Sequence, residues 1–191
     1  MKIFQVIRVL DVLFSGVGLL VLWPLFILIY FIGLFDTGKP LLRQVRLGRQ
    51  LRPFVLVKFR TMKLETAHVA SHLASVNNIT RFGSVLRHTK LDELPQLWNV
   101  INGEMSLVGP RPNLPNQYEL IKARKTLGVY SVRPGITGLA QINRIDMSTP
   151  DALAQVDAQM LREISVVNYL KYIIMTATGS GSGDGVRSRE D

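Results

Sequence analysis

The sequence predicts a helix-rich α/β domain with a small β-hairpin, joined to an N-terminal membrane helix. Three observations predict it. An uncharged apolar run extends from Val12 to Phe35. A basic strand–turn–strand pattern follows between Gln44 and Met62. Beyond Leu91, short helical stretches alternate with proline–glycine punctuation. The 191 residues suit one core with an appended segment. There is no cysteine, which excludes disulfides, zinc–thiolate sites and thiol nucleophiles. The net charge of +9 favours polyanionic partners. Because basic and aromatic residues are not interleaved, membrane lipid or phosphate fits better than nucleic acid. The sequence carries no signal for oligomeric state.

The apolar run exceeds the roughly 20 residues that a spanning helix needs. It is too long for a signal peptide and lacks a small-residue cleavage site. A core helix that is apolar all round is hard to bury in a domain of this size. Pro24 interrupts the run and removes one helical hydrogen bond, so it bends or breaks the helix. Two geometries follow: a kinked spanning helix, or a re-entrant one that returns to the same side. Lys2 and Arg8 precede the run, and Lys39, Arg43, Arg46, Arg49 and Arg52 follow it. The downstream excess places the following residues in the cytoplasm, and basic flanks at both ends lean towards the re-entrant form.

Residues Lys39 to Lys63 hold eight Lys or Arg and no acid. Gln44–Gly48 and Phe54–Met62 read as paired strands joined through Gly48–Pro53. The hairpin is either a solvated basic surface near anionic headgroups or an anion site built on Lys58 and Arg60. His68 and His72 share a helix face, but no third ligand is suitably spaced, so they read as a surface pair.

Pro95 suits the first turn of a helix running from about Leu94 to Ile101, with Leu94, Leu97, Trp98 and Ile101 on its apolar side. Asp92 and Glu93 then stand at its start, where the helix dipole favours acids. One reading makes them a helix cap. Another makes them chemical, because Arg87 lies upstream and Arg111 sits between two prolines that fix its approach. A guanidinium grips phosphate through two N–H groups. A carboxylate can attack phosphorus covalently, and a metal held partly by it would neutralise a diphosphate. Val132–Gly138 repeats the arginine–proline–glycine pattern around Arg133, and Gly135 and Gly138 would let backbone approach a ligand. No phosphate-binding P-loop or dinucleotide fingerprint is present. Residues 151–175 are patterned as a helix, packed on the core or lying on the membrane. The Gly/Ser-rich end reads as a flexible tail.

Four ordered blocks carry a resemblance: Lys58–Met62, Leu91–Val100, Met105–Pro112 and Val132–Asn143. With them the chain resembles the bacterial sugar transferases, the small monotopic phosphoglycosyl transferases, from about Arg8 to Thr176. The resemblance implies transfer of a sugar-1-phosphate from a UDP-sugar to polyprenyl (undecaprenyl) phosphate. The reaction would begin glycoconjugate synthesis on the cytoplasmic face of the bacterial inner membrane. It implies Asp92 as the nucleophile that forms an aspartyl-phosphosugar, Glu93 as its companion, and Mg²⁺ bridging Asp92 and the diphosphate. Lys58, Arg60, Arg87, Arg111, Arg133 and Gln141 are the implied substrate-binding residues. It also implies a re-entrant helix broken at Pro24, where Trp23 replaces the family's serine. The expected organisation is an anchor over residues 1–38, a catalytic domain over 39–176 and a tail over 177–191. The alternative is a membrane-anchored polyanion-binding module without chemistry.

Overall fold

A computed structural model describes residues 2–64 and 78–179. The His68/His72 pair and the tail from residue 180 onward lie outside the described residues. Helix α1 (Lys2–Thr37) comes first and contains Pro24. Strands β1 (Leu41–Leu47) and β2 (Pro53–Phe59) pair antiparallel, with Leu42 opposite Lys58 and Leu47 opposite Pro53. Both expected strands are thus present, and a tight turn at Arg49–Leu51 joins them.

Helix α2 (Arg81–His88) starts at Thr80, whose hydroxyl accepts from the Gly83 N–H at 2.8 Å. A 3₁₀ turn, Leu91–Glu93, leads into α3 (Gln96–Ile101). Strand β3 (Ser106–Val108) pairs in parallel with β4 (Gly135–Thr137), a pairing the sequence did not predict. Between them runs α4 (Tyr118–Thr126). Helices α5 (Leu139–Ile142), α6 (Pro150–Arg162) and α7 (Val166–Ala177) complete the described chain. The single helical pattern expected over 151–175 is therefore two helices.

Helix α1 docks along its length. Ile7, Asp11 and Ser15 are buried at four-residue spacing, and the same stripe continues through Leu25, Ile29 and Gly33. Ile7 packs with Val108, Met160 and Tyr169. Near the other end, Ile29 packs with Phe59 and Leu86, and the Phe26 ring is tilted 56° to that of Phe59 with centroids 5.9 Å apart. Asp11 Oδ1 latches the first half, accepting from Ser106 Oγ, the Leu107 N–H and Tyr169 O–H at 2.8–2.9 Å. The outer faces stay apolar and bare: Leu20 is 74% exposed and Phe35 91%. The break expected at Pro24 is not seen. Residues on both sides belong to one helix, with the missing hydrogen bond on its exposed side.

One face differs from expectation. In α3, Trp98 is exposed, while Gln96 and Asn99 are buried with Leu97 and Val100. Asn99 accounts for the inversion. Its amide accepts from the Val57 N–H and donates to Val55 O, so it binds β2 at the open edge of the hairpin. In α7 the buried residues are Tyr169 and Tyr172, and Val167 and Ile174 face outward.

Candidate active site

Lys90 takes the left-handed conformation (φ 58°, ψ 15°) and turns the chain sharply out of α2. The 3₁₀ turn that follows puts Asp92 and Glu93 inside the fold, 2% and 7% exposed. Neither acid caps α3: Pro95 holds the cap position, and no side-chain capping bond is made there. The cap reading is therefore replaced by two buried carboxylates. Buried carboxylates need opposite charge nearby, because desolvation penalises the ionised form. Arg111 supplies it for Glu93, with Nη2 donating to Oε1 at 2.8 Å.

Strand β2 and helix α2 both pack on the acid-bearing turn. Strand β2 carries Lys58, which is 5% exposed. Helix α2 carries Arg87, whose Nε donates to the buried Thr61 Oγ1 at 2.8 Å. Lys90 reaches Thr176 O with its ammonium. Burial lowers the Lys90 pKa, and the Glu93 charge opposes that shift. Asp92, Glu93, Lys58, Arg87 and Arg111 thus lie on elements that pack together.

The Arg111 segment is held from three sides. Arg124 Nη1 donates to Arg111 O at 2.8 Å, Arg46 Nη1 to Pro112 O at 3.1 Å, and the Leu47 N–H to Asn113 O at 2.9 Å. Tyr130 O–H adds a bond to Asn113 Oδ1. Arg124 is fixed in turn by Asp157, with Nη2 and Nε 2.7 and 2.9 Å from Oδ2. Burial raises the Asp157 pKa although the Arg124 charge opposes it.

Two glycines bring the segment into place. A Cβ on Gly135 would stand 2.0 Å from Gly109 N, and one on Gly109 would stand 2.6 Å from Arg133 O. The glycines of the Arg133 block therefore serve strand-to-strand approach rather than approach to a ligand. The other expected binding residues bond to the scaffold. Arg60 Nε donates to Lys39 O, Arg133 Nε to Gly103 O and Gln141 Nε2 to Ile136 O. Nothing described ties these three to the acid pair.

The family model for bacterial sugar transferases matches residues 3–181. The chain belongs to this family. Among its relatives is the UDP-glucose:undecaprenyl-phosphate glucose-1-phosphate transferase of Xanthomonas campestris, 36% identical over 87% of this chain and 37% of the relative. The galactosyl transferase CpsE of Streptococcus agalactiae is 35% identical over 74% of this chain and 34% of its own length. The exopolysaccharide production protein ExoY of Rhizobium meliloti is 36% identical over 88% and 82%. The chain thus spans about a third of the first two relatives and most of the third.

In this bacterial sugar transferase, sequence reasoning missed Arg46, Asn113, Arg124 and Asp157. A signal for the ion pair was present. Arg124 follows the apolar Leu120 by four residues, and Asp157 lies between Leu153–Ala154 and Ala158–Met160, so each charge falls on a core-facing helical stripe. Among the described residues, no three His, Cys, Asp or Glu gather into a metal cluster. Two adjacent buried carboxylates, one engaged by Arg111, still suit Mg²⁺, which commonly takes one or two carboxylates and completes its shell with substrate phosphate and water.

Proposed function

We propose that the chain moves a sugar-1-phosphate from a UDP-sugar to polyprenyl (undecaprenyl) phosphate through a covalent intermediate on Asp92. The observation that carries the proposal is the buried Asp92–Glu93 turn, with Arg111 locked to Glu93 beside a docked apolar helix. An Asp92 carboxylate oxygen attacks the phosphorus that bears the sugar. The bond from that phosphorus to the bridging oxygen breaks, and UMP leaves with the electron pair. An oxygen of polyprenyl phosphate then attacks the same phosphorus, and Asp92 departs as a carboxylate. Lys58, Arg87 and Arg111 would hold the phosphates. Glu93 fixes the Arg111 guanidinium through their ion pair. Of the chain's residues, Asp92 would hold Mg²⁺, which neutralises diphosphate charge when bound.

Attachment to one leaflet of the inner membrane, with the catalytic residues on the cytoplasmic side, belongs to the same proposal. Two observations support it: α1 packs on the domain at both ends, and α7 turns Val167 and Ile174 outward. The name of the Xanthomonas relative supports a UDP-sugar donor and an undecaprenyl phosphate acceptor.

The test is a panel of radiolabelled UDP-sugars with the full chain in membranes. UMP release and sugar label retained on the protein are followed with and without undecaprenyl phosphate. One UDP-sugar should label the protein without acceptor, and acceptor should discharge that label. Asp92→Asn should lose both signals and stay in the membrane fraction. UMP release by Asp92→Asn at the normal rate would rule out the nucleophile assignment.

A further inference from the structure

A cavity of about 540 Å³ opens between the start of α1, the β3–β4 pair and the α6–α7 junction. It contains none of Lys58, Arg87, Asp92, Glu93 or Arg111. Three guanidinium groups line it, from Arg8, Arg49 and Arg133. Two have scaffold duties: Arg8 donates from both Nη atoms to Val100 O and Ile101 O, and Arg133 donates from Nε to Gly103 O. Among the described residues, the Arg133 Nη groups and the whole Arg49 guanidinium have no hydrogen-bond partner. The one acid in the wall is Asp11, whose Oδ1 is taken by Ser106, Leu107 and Tyr169. Three cations against one acid leave the cavity positive. Burial and the neighbouring Arg8 and Arg49 charges lower the Arg133 pKa, with Asp11 opposing them, so Arg133 faces two like charges.

Like charges brought together around a cavity favour an anion that relieves the repulsion. Apart from Gln5, Ser106 and Ser131, the remaining side chains of the wall are apolar. Phe4 and Ile7 come from α1, and Leu161 comes from the end of α6. The outer faces of α1 beside them are exposed hydrocarbon, including Val6, Val9 and Leu13. A ligand that fills the cavity therefore needs a phosphate at one end and an apolar body leading onto the face of α1.

We infer that this cavity binds the phosphate headgroup of an anionic membrane phospholipid, at a site separate from the acid pair. Arg49 and the Arg133 Nη groups hold the phosphate, and Phe4, Ile7 and Leu161 hold the first carbons of the acyl chains. The headgroup would pin the start of α1 to the interface.

The test uses the full chain in neutral detergent, with bound lipid counted by native mass spectrometry. Phosphatidylglycerol and phosphatidylcholine with the same acyl chains are compared. The expected result is selective retention of phosphatidylglycerol. One surface cation near a headgroup is worth a factor of about five, so Arg49→Glu should weaken that selectivity at least about five-fold. Arg49→Lys should keep most of it. Leu161→Trp, which fills the cavity without changing charge, should lower phosphatidylglycerol retention as well. UMP release by Arg49→Glu should match the parent chain, which checks its fold. Equal retention of the two lipids would overturn the inference, as would selectivity unchanged in both Arg49→Glu and Leu161→Trp. Displacement of phosphatidylglycerol by millimolar inorganic phosphate or UMP would assign the cavity to a soluble phosphate and also overturn it.

Discussion

At Arg124 one side chain does two jobs: it neutralises Asp157 and donates to the carbonyl of Arg111. Removing one partner of a buried ion pair leaves an uncompensated charge and costs about 3–5 kcal/mol. Arg124→Met should therefore unfold at markedly lower temperature than the parent chain. Its pH dependence carries a further signature. Burial already raises Asp157 above its ordinary value of 3.8, with Arg124 holding it back. Without Arg124 the carboxyl rises further, and the native state keeps a proton that the unfolded chain releases above about pH 4. The native state then binds more protons in that window, so stability falls as pH rises through it. Thermal unfolding of Arg124→Met should accordingly occur at lower temperature at pH 7.5 than at pH 5. UMP release should fall too, because the Arg111 segment loses the bonds that Arg124 makes to Arg111 O and Asn113 Oδ1.

Among the elements, α2 depends most on a single missing side chain. A Cβ on Gly83 would stand 2.1 Å from the carbonyl oxygen of Thr61, a backbone atom that cannot swing aside. Gly83→Ala must push α2 off the end of β2, where overpacking costs about 1–3 kcal/mol. The Arg87–Thr61 hydrogen bond spans that same contact. Gly83→Ala should lower both the unfolding temperature and the rate of UMP release, and a stability change below about 0.5 kcal/mol would contradict the steric argument. This contact marks where sequence reading stops. The hairpin was legible because alternation and a turn signal are local, and α1 was legible because its apolar run is long. The adjacency of Asp92, Glu93 and Arg111 was suggested by ordered blocks. The parallel β3–β4 pair was not legible: three-residue strands 29 positions apart leave no periodicity. Trp98 was misplaced because its hydrophobicity argued for burial, whereas the amides of β2 needed Asn99.

For the whole molecule the governing feature is the docked length of α1. Asp11 makes the polar part of that docking and satisfies three donors from two other elements. Asp11→Ala strands those donors in the interior, each worth about 1–3 kcal/mol when left unmade. The variant should lose a large share of its stability in detergent. It should still pellet with membranes, because the outward faces of α1 are unchanged; release into the soluble fraction would refute that division of labour. Between Ser15 and Ile29 the helix also works as a gauge. It advances about 1.5 Å and turns about 100° per residue, so both its length and its rotational phase are fixed by two footholds on one body. One inserted residue would swing the far foothold a quarter-turn away from Phe59 and Leu86. Seven would nearly restore the angle but overshoot by about 10 Å. The segment can therefore exchange its outward residues freely while its length is frozen.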